Sequence, residues 1–471
     1  MKHSKSLTAF AALLLASCGG GGDSGGTPPI GGIQGSGRMV SIGAITGFGS
    51  IFVNGVEFAT TGAQINIGER SGTEAELRIG QVVTVQGTVS ANGTTGTATR
   101  VTFSADVEGP VTQLDVAAGT FVVLGQTVRV TSATHFDDDI VPSNIEGLAA
   151  PGLIVEVSGF QTANGAISAT RIEREDPGSD FEVKGVVQGL DTNRRTFRVN
   201  ALTVDYSGTT PEGALADGRT VEVEGRTFTA GGALIATRVE VSPGIGAAAN
   251  DEVELEGLIT RYVSNTDFDV SGQRVTTSAT TQFDLKGVTL GLDVRVEVEG
   301  VMDANGVLVA REVEVEEEFS AEVAGLVETI NAAGSTLRVA GVNVTTSITT
   351  QFEDKSNAQQ RPFRLADLRT GDFVEVRGNE RQGGGLDAFI LERDDPESEV
   401  TLQGIARNVA DPNLVILGVT VMTDAGTQFE DAADQPITRA EFFAQAPDRL
   451  VKAEGTLSGT TLIAGELELE D

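Results

Sequence analysis

The stretch RVEVEGVMDANGVLVAREVEV, residues 295–315, decides the architecture. Its first six residues alternate polar and apolar side chains and stop at Gly300. Asn305-Gly306 makes a turn, and residues 310–315 alternate again. Period-two alternation marks a strand with one face in a core. Asn-Gly between two such runs supplies the positive φ angles that a tight hairpin needs. The reading is a β-hairpin, with its valines inward and its glutamates outward.

Working outward, the hairpin returns six times. The Gly-ended strand recurs at 82–87 (VVTVQG), 154–159 (IVEVSG), 220–225 (TVEVEG), 295–300, 373–378 (FVEVRG) and 450–455 (LVKAEG). The turns that follow are marked by Asn92-Gly93, Asn164-Gly165, Gly231-Gly232, Asn305-Gly306 and Gly383-Gly384-Gly385. The return strands run over 98–103, 169–174, 236–241, 310–315, 388–393 and 464–469. An earlier strand in each unit carries a glycine at Gly43, Gly109, Gly185, Gly257, Gly325 and Gly404, at intervals of 66 to 79 residues. Between these landmarks lies a second hairpin, turning at Asn54-Gly55, Gly125, Gly272, Gly341 and Gly418. Four units then step through Thr134-His135-Phe136-Asp137, Thr281-Gln282-Phe283-Asp284, Thr350-Gln351-Phe352-Glu353 and Thr427-Gln428-Phe429-Glu430. In the last unit Thr438 and Glu441 form a capping-box pattern that predicts one short helix.

Each unit is thus about five strands in roughly 70 residues, with one variable insertion between the third and fourth strands, and self-similarity at this period marks a repeat protein. That is the layout of an OB-like small barrel, in which closure removes exposed sheet edges. The fold expected is all-β: six tandem OB-like barrels at 38–104, 105–177, 180–243, 250–317, 319–395 and 397–471, joined by short acidic or Gly/Pro linkers as a string of beads with limited bending, each with its own core and room to lean on its neighbours. Tandem units of this kind, with GFGSIFVNGVEF at 47–58 and VEVEG-type strands, resemble the bacterial lipoprotein family built from domain of unknown function 5666. The resemblance covers about residues 38–471 and implies an envelope protein, with no catalytic residue to carry over.

The N-terminus agrees with such an address. Residues 1–17 have a basic start (Lys2, His3, Lys5) and an apolar run too short to span a bilayer, which predicts a signal peptide. The run closes as Leu15-Ala16-Ser17-Cys18, similar to the lipobox of bacterial lipoproteins, which implies cleavage before Cys18 and lipid on that residue, the chain's one cysteine. Gly19, where lipoproteins kept at the inner membrane usually have Asp, implies the outer membrane in a Gram-negative host. Residues 19–37, with ten Gly and only Asp23 charged, read as a flexible tether.

The 471 residues carry 33 Lys+Arg against 67 Asp+Glu, a formal charge of −34, and no Trp. Nucleic acid is held by cationic side chains and aromatic platforms, so this balance excludes it as a partner. A basic envelope protein is the expected partner, beside the membrane reached through the lipid. Catalysis lacks a constellation. His135 stands where sister units have Gln282, Gln351 and Gln428, and reads as a substituted strand residue rather than a base. The acids at the insertion mouths, Asp137, Asp138, Asp139, Asp284, Glu353, Asp354, Glu430 and Asp431, are the candidate ligands for a divalent cation such as Ca²⁺. Solubility and edge protection are the plainer reading and weigh more. The alternating runs 251–256 and 312–318 read as the wet faces of strands. Phe48 and Phe52 are candidates for exposure in their Gly-rich hairpin, although core packing weighs more. No enzyme is expected. A repeat-domain binding or structural scaffold is, with a cation or small-ligand binder as the alternative.

Overall fold

The computed structural model describes residues 38–316, 319–432 and 435–470; the predicted signal peptide, Cys18 and the tether lie outside them. In the first repeat, the strand Arg38–Gly47 pairs antiparallel with Ile51–Val53 and with Val82–Val89. Ile51–Val53 pairs with Val56–Ala59, which pairs parallel with Thr95–Phe103, and that strand returns to Val82–Val89. The ring closes in the order 1-2-3-5-4-1, a five-stranded barrel. The same ring forms in the other five repeats, each with a parallel contact between its third and fifth strands. Alternating valines fill each barrel: Val296, Val298, Val313 and Val315 are all nearly inaccessible. The one α-helix among the described residues is Arg439–Gln445, where the Thr438 amide donates to Glu441 at 2.8 Å in the expected capping box.

Both recurring glycines have packing causes. The glycine of the fourth strand sits at a bulge against the fifth, so close that a Cβ on Gly300 would lie 2.3 Å from the Val309 carbonyl oxygen. The glycine of the first strand lies under the second hairpin's turn, and a Cβ on Gly257 would meet Ser271 Oγ at 2.1 Å. One expectation about turns is corrected. In the Asn-Gly hairpins only the glycine is left-handed, as at Gly93 (φ 74°) and Gly306 (φ 74°). Both central residues are left-handed in the second hairpin, as at Asn54 (φ 50°) and Gly55 (φ 73°), the pattern of a type I′ turn.

The string of beads is also corrected. Each first strand is long, broken only in barrel 6 into Val400–Ile405 and Arg407–Ala410, and the second strand pairs only with its later part, leaving the earlier part with an open edge. Another barrel fills that edge. Met39 to Ile42 pair parallel with Glu252 to Leu255, joining barrels 1 and 4. Val107 pairs with Val183, joining barrels 2 and 3, and Val323 with Leu402, joining barrels 5 and 6. Three continuous sheets result, of 13, 11 and 12 strands.

Candidate functional site

The Thr-Gln-Phe step has a local cause. The hydroxyls of Thr134, Thr281, Thr350 and Thr427 each donate, at 2.7 Å, to the carbonyl of Ala169, Ala310, Ala388 or Ala464 in the fifth strand. The chain thereby rejoins that strand and pairs parallel with it, as at His135–Phe136, Gln282–Asp284 and Gln351–Asp354. This fixes the residue after Thr and places the acids just beyond it. Barrels 1 and 3 lack the step. The first has a short strand, Gln64–Ile67, in its place, and the third only a bridge between Glu212 and Glu240.

Of the four steps, the structure joins two. His135 of barrel 2 meets its own counterpart in barrel 5: its Nε2 lies 2.6 Å from Gln351 Oε1. Its Nδ1 lies 2.9 Å from Glu392 Oε1 and 3.3 Å from Glu353 Oε2. With carboxylates at Nδ1 and the Gln351 amide at Nε2, the surroundings favour the doubly protonated ring. Burial pushes its pKa down, but hydrogen bonds to Glu353 and Glu392 and their charges outweigh this and raise it. Burial would raise Glu353, yet Arg171, then His135 and Lys355, hold it down to about 2. Glu392 is likewise held well below the carboxylate range by Lys355, Arg377 and His135 against its burial. Around this core, Lys355 Nζ lies 3.0 Å from Glu392, Arg377 2.9 Å from Glu392, and Arg171 3.2 Å from Glu353. Arg377 also donates to the carbonyls of Ser132 (2.7 Å) and Thr134 (3.2 Å), tying barrel 5 to the strand of barrel 2.

A cavity of about 260 Å³ opens beside this network where barrels 1, 2 and 5 meet. Arg78, Arg171 and Arg361 line it together with Asp137, Asp138, Glu353 and Asp354, and Phe48, Phe352 and Phe363 add apolar surface. Phe48 is buried, with the Arg361 guanidinium 3.7 Å over its ring, so it belongs to this junction and not to a free surface. Burial, with the charges of Arg78 and Arg171, lowers the Arg361 pKa to about 10. The Asp138 carboxyl is raised to about 6 by partial burial, which Lys355 opposes and Glu353 reinforces.

Four of the eight predicted acids therefore line one cavity, though among the described residues their oxygens do not gather as a metal site would, and four lie elsewhere. Asp354 is held by Arg393 (Nε at 2.9 Å), and Asp137 accepts from the Arg174 amide at 3.1 Å. Asp139 is exposed, its amide reaching Asp137 at 3.3 Å. Asp284 is exposed on barrel 4. Glu430 lines a separate cavity of about 290 Å³ with Glu146, Lys452, Glu454, Glu466 and Glu468, and Asp431 accepts from the Gln435 amide at 3.1 Å nearby. His135, Glu353 and Glu392 bring ligand atoms within 4.8 Å of one another, as a metal site would. The set does not fit a metal, because Arg171, Lys355 and Arg377 already neutralise the two carboxylates and a dication would add to that positive charge. Glu69, Glu222 and Glu224 are similarly close, but Arg238 sits among them, 2.8, 3.9 and 3.4 Å away.

The wet-face reading fails for part of barrel 4: Asp251, Glu254 and Glu256 are buried, Glu254 accepting from Ser41 Oγ at 3.0 Å and Glu256 from the Ala44 amide at 3.0 Å. These glutamates face another barrel, not water. The His135 network was missed as well. The signal available for it was the replacement of glutamine by histidine at one repeat of four.

A family model, the domain of unknown function DUF5666, matches residues 37–102, 108–173, 179–240, 256–314, 324–388 and 403–468. The chain belongs to this family. Each of the six matches falls on one barrel, so the DUF5666 repeat and the closed five-stranded ring are the same object. No curated protein matches the chain. Among solved structures, a Drosophila Unr fragment titled CSD456 is 13% identical, covering 41% of this chain and 88% of its own, with a TM-score of 0.11. A Streptococcus pneumoniae multidomain protein, whose title gives it nucleic acid binding domains, is 11% identical, covering 46% and 73%, with a TM-score of 0.13.

Proposed function

We propose that this DUF5666 chain is a binding scaffold of the bacterial cell envelope, held to a membrane by lipid on Cys18, on which a basic envelope protein docks. The observation that carries this reading is the barrel 2–barrel 5 junction. Residues 216 and 257 positions apart meet there to fix distant repeats against one another. A chain that only needed length as a spacer would not require a buried charge network between its second and fifth repeats. Breaking such a network is costly, and rigid placement of acidic surfaces favours one docking geometry. His135 has both ring nitrogens engaged and supplies no base, which supports binding over catalysis.

The test is in-cell crosslinking of the tagged protein beside its Cys18→Ala variant. A basic envelope protein recovered with the anchored form and lost with the variant is the expected result. Equal recovery from both forms, or none from either, overturns the reading.

A second reading has its own observation, the lining of one cavity by Asp137, Asp138, Glu353 and Asp354. A divalent cation there would compete with the proton that Asp138, raised to about 6, takes up in mild acid. Millimolar Ca²⁺ is then expected to raise the melting temperature, and Asp137→Asn with Asp138→Asn to abolish the rise. A melt unchanged by Ca²⁺ removes this reading.

A further inference from the structure

Barrels 2 and 3 share one sheet, and its register places glutamates in a row across five neighbouring strands. Glu173 stands opposite Glu156, Glu156 opposite Glu108, Glu108 opposite Glu182, and Glu182 opposite Glu224. Like charges directly opposite on one sheet face repel, so an ionised row opposes the pairing that aligns it. We propose that this seam is a proton-operated clasp: the row of glutamates lets barrels 2 and 3 close beneath barrel 1 while it is protonated, and loosens that junction when it ionises.

Cations stand only at the two ends of the row. Glu173 has Arg171 at 3.3 Å and Arg78 at 3.7 Å. Glu224 has Arg238 at 3.4 Å, which also holds Glu69, Glu212, Glu222 and Glu240. Among the described residues no Lys or Arg lies within ion-pair distance of Glu108, Glu156 or Glu182. The nearest lysine of the seam, Lys184, reaches Asp106 at 4.0 Å instead. Of the other acids at this seam, Glu175 adds negative charge, while Asp180 is paired with Arg226 at 2.9 Å and Glu222 shares Arg238 at 3.9 Å. What covers the middle of the row is neutral and comes from barrel 1. Ser104 Oγ lies 3.1 Å from Glu182 and 2.8 Å from Glu222, its one proton serving one of them, and Gln81 Nε2 donates to Glu173 at 2.7 Å and Glu156 at 3.5 Å.

The titration follows from that placement. Burial first, then Glu175, raises Glu108 to about 7, although Ser179 lowers it. Burial first, then Glu222, raises Glu182 to about 8 against the Ser104 hydrogen bond. Glu156 is raised well above the carboxylate range by burial and then by Glu173. A carboxyl raised in the folded state stabilises it fully below the unfolded value of 4.5, and that stabilisation is lost as pH climbs through the folded values of about 7 to 8. The clasp is therefore closed in mild acid and loosened in mild alkali.

The experiment is hydrogen exchange on the full chain between about pH 5.5 and pH 8.5, corrected for intrinsic rates, followed at the paired strands Val107–Asp115 and Phe181–Asp191. Protection of these strands is expected to fall about tenfold or more across the range in the native chain. With Glu156→Gln and Glu182→Gln combined, the slope is expected to shrink severalfold, because each amide keeps the carboxyl's shape without its charge and Glu108 alone of the three remains to titrate. Glu397→Gln, at an exposed linker position, is expected to keep the native slope. Native protection that does not change with pH, or a double variant that keeps the native slope, overturns the proposal.

Discussion

Glu392→Ala is expected to take the junction of barrels 2 and 5 apart, at a cost of about 3–5 kcal/mol, the range for stripping one partner from a buried ion network. Glu392 is 2% exposed and is the carboxylate that His135, Lys355 and Arg377 share. Without it His135, Lys355 and Arg377 face one another with Glu353 and Glu375 left to balance them. Denaturant unfolding, with hydrogen exchange at His135–Phe136 and Gln351–Asp354, measures the loss. A cost under about 1 kcal/mol would mean that the network does not hold the barrels together. Adding His135→Ala is expected to recover part of the loss, since it removes one of the stranded charges. The pH dependence has two sides. The contribution of His135, whose pKa is raised, is complete below its unfolded value near 6.5 and fades as pH rises through the folded one. Those of Glu353 and Glu392, whose values are lowered, are complete above about 4.5 and fade as pH falls through the folded ones, about 2 for Glu353. The junction is strongest between these limits.

The contrast between what the sequence predicts and what it misses follows sequence distance. Barrel closure depends on pairings within one repeat, and its devices are written locally: the Gly300 bulge, the Ser271-Gly272 turn and the Thr350 hydroxyl that returns the chain to its fifth strand. Each recurs, so repetition reveals it. The joining of barrels 1 and 4 rests on Met39 to Ile42 meeting Glu252 to Leu255, and a short apolar strand does not name its partner. The acids show the same divide. Alternation correctly sends Glu254 and Glu297 out of their barrel, but whether they meet water or a neighbouring strand depends on quaternary-like packing inside one chain. His135 is the converse case, a local oddity whose partners Gln351 and Glu392 lie in another repeat.

Gly378→Ala is expected to destabilise barrel 5 by about 3 kcal/mol, at the upper end of overpacking costs, and to loosen the barrel 2–5 junction with it. An ideal Cβ on Gly378 would lie 2.0 Å from the Asp387 carbonyl oxygen and 3.1 Å from the Ala388 Cα. Both belong to strand backbone, which cannot swing aside as a side-chain end would, so the two strands must separate. The bulge lies between Arg377 and Gly378, and Arg377 is the residue that reaches the Ser132 and Thr134 carbonyls of barrel 2. A shift of the strand at Gly378 therefore withdraws a cation from the network one residue away. Gly291→Ala is the matched control. A Cβ there meets nothing within 4 Å, and the backbone is not left-handed, so its effect is expected within about 0.5 kcal/mol. Denaturant midpoints give the first comparison, and exchange at Phe373–Glu380 against Gln351–Asp354 separates damage inside the barrel from damage at the junction. If Gly378→Ala unfolds no earlier than Gly291→Ala, the close approach at the bulge is not what fixes glycine at the end of the fourth strand.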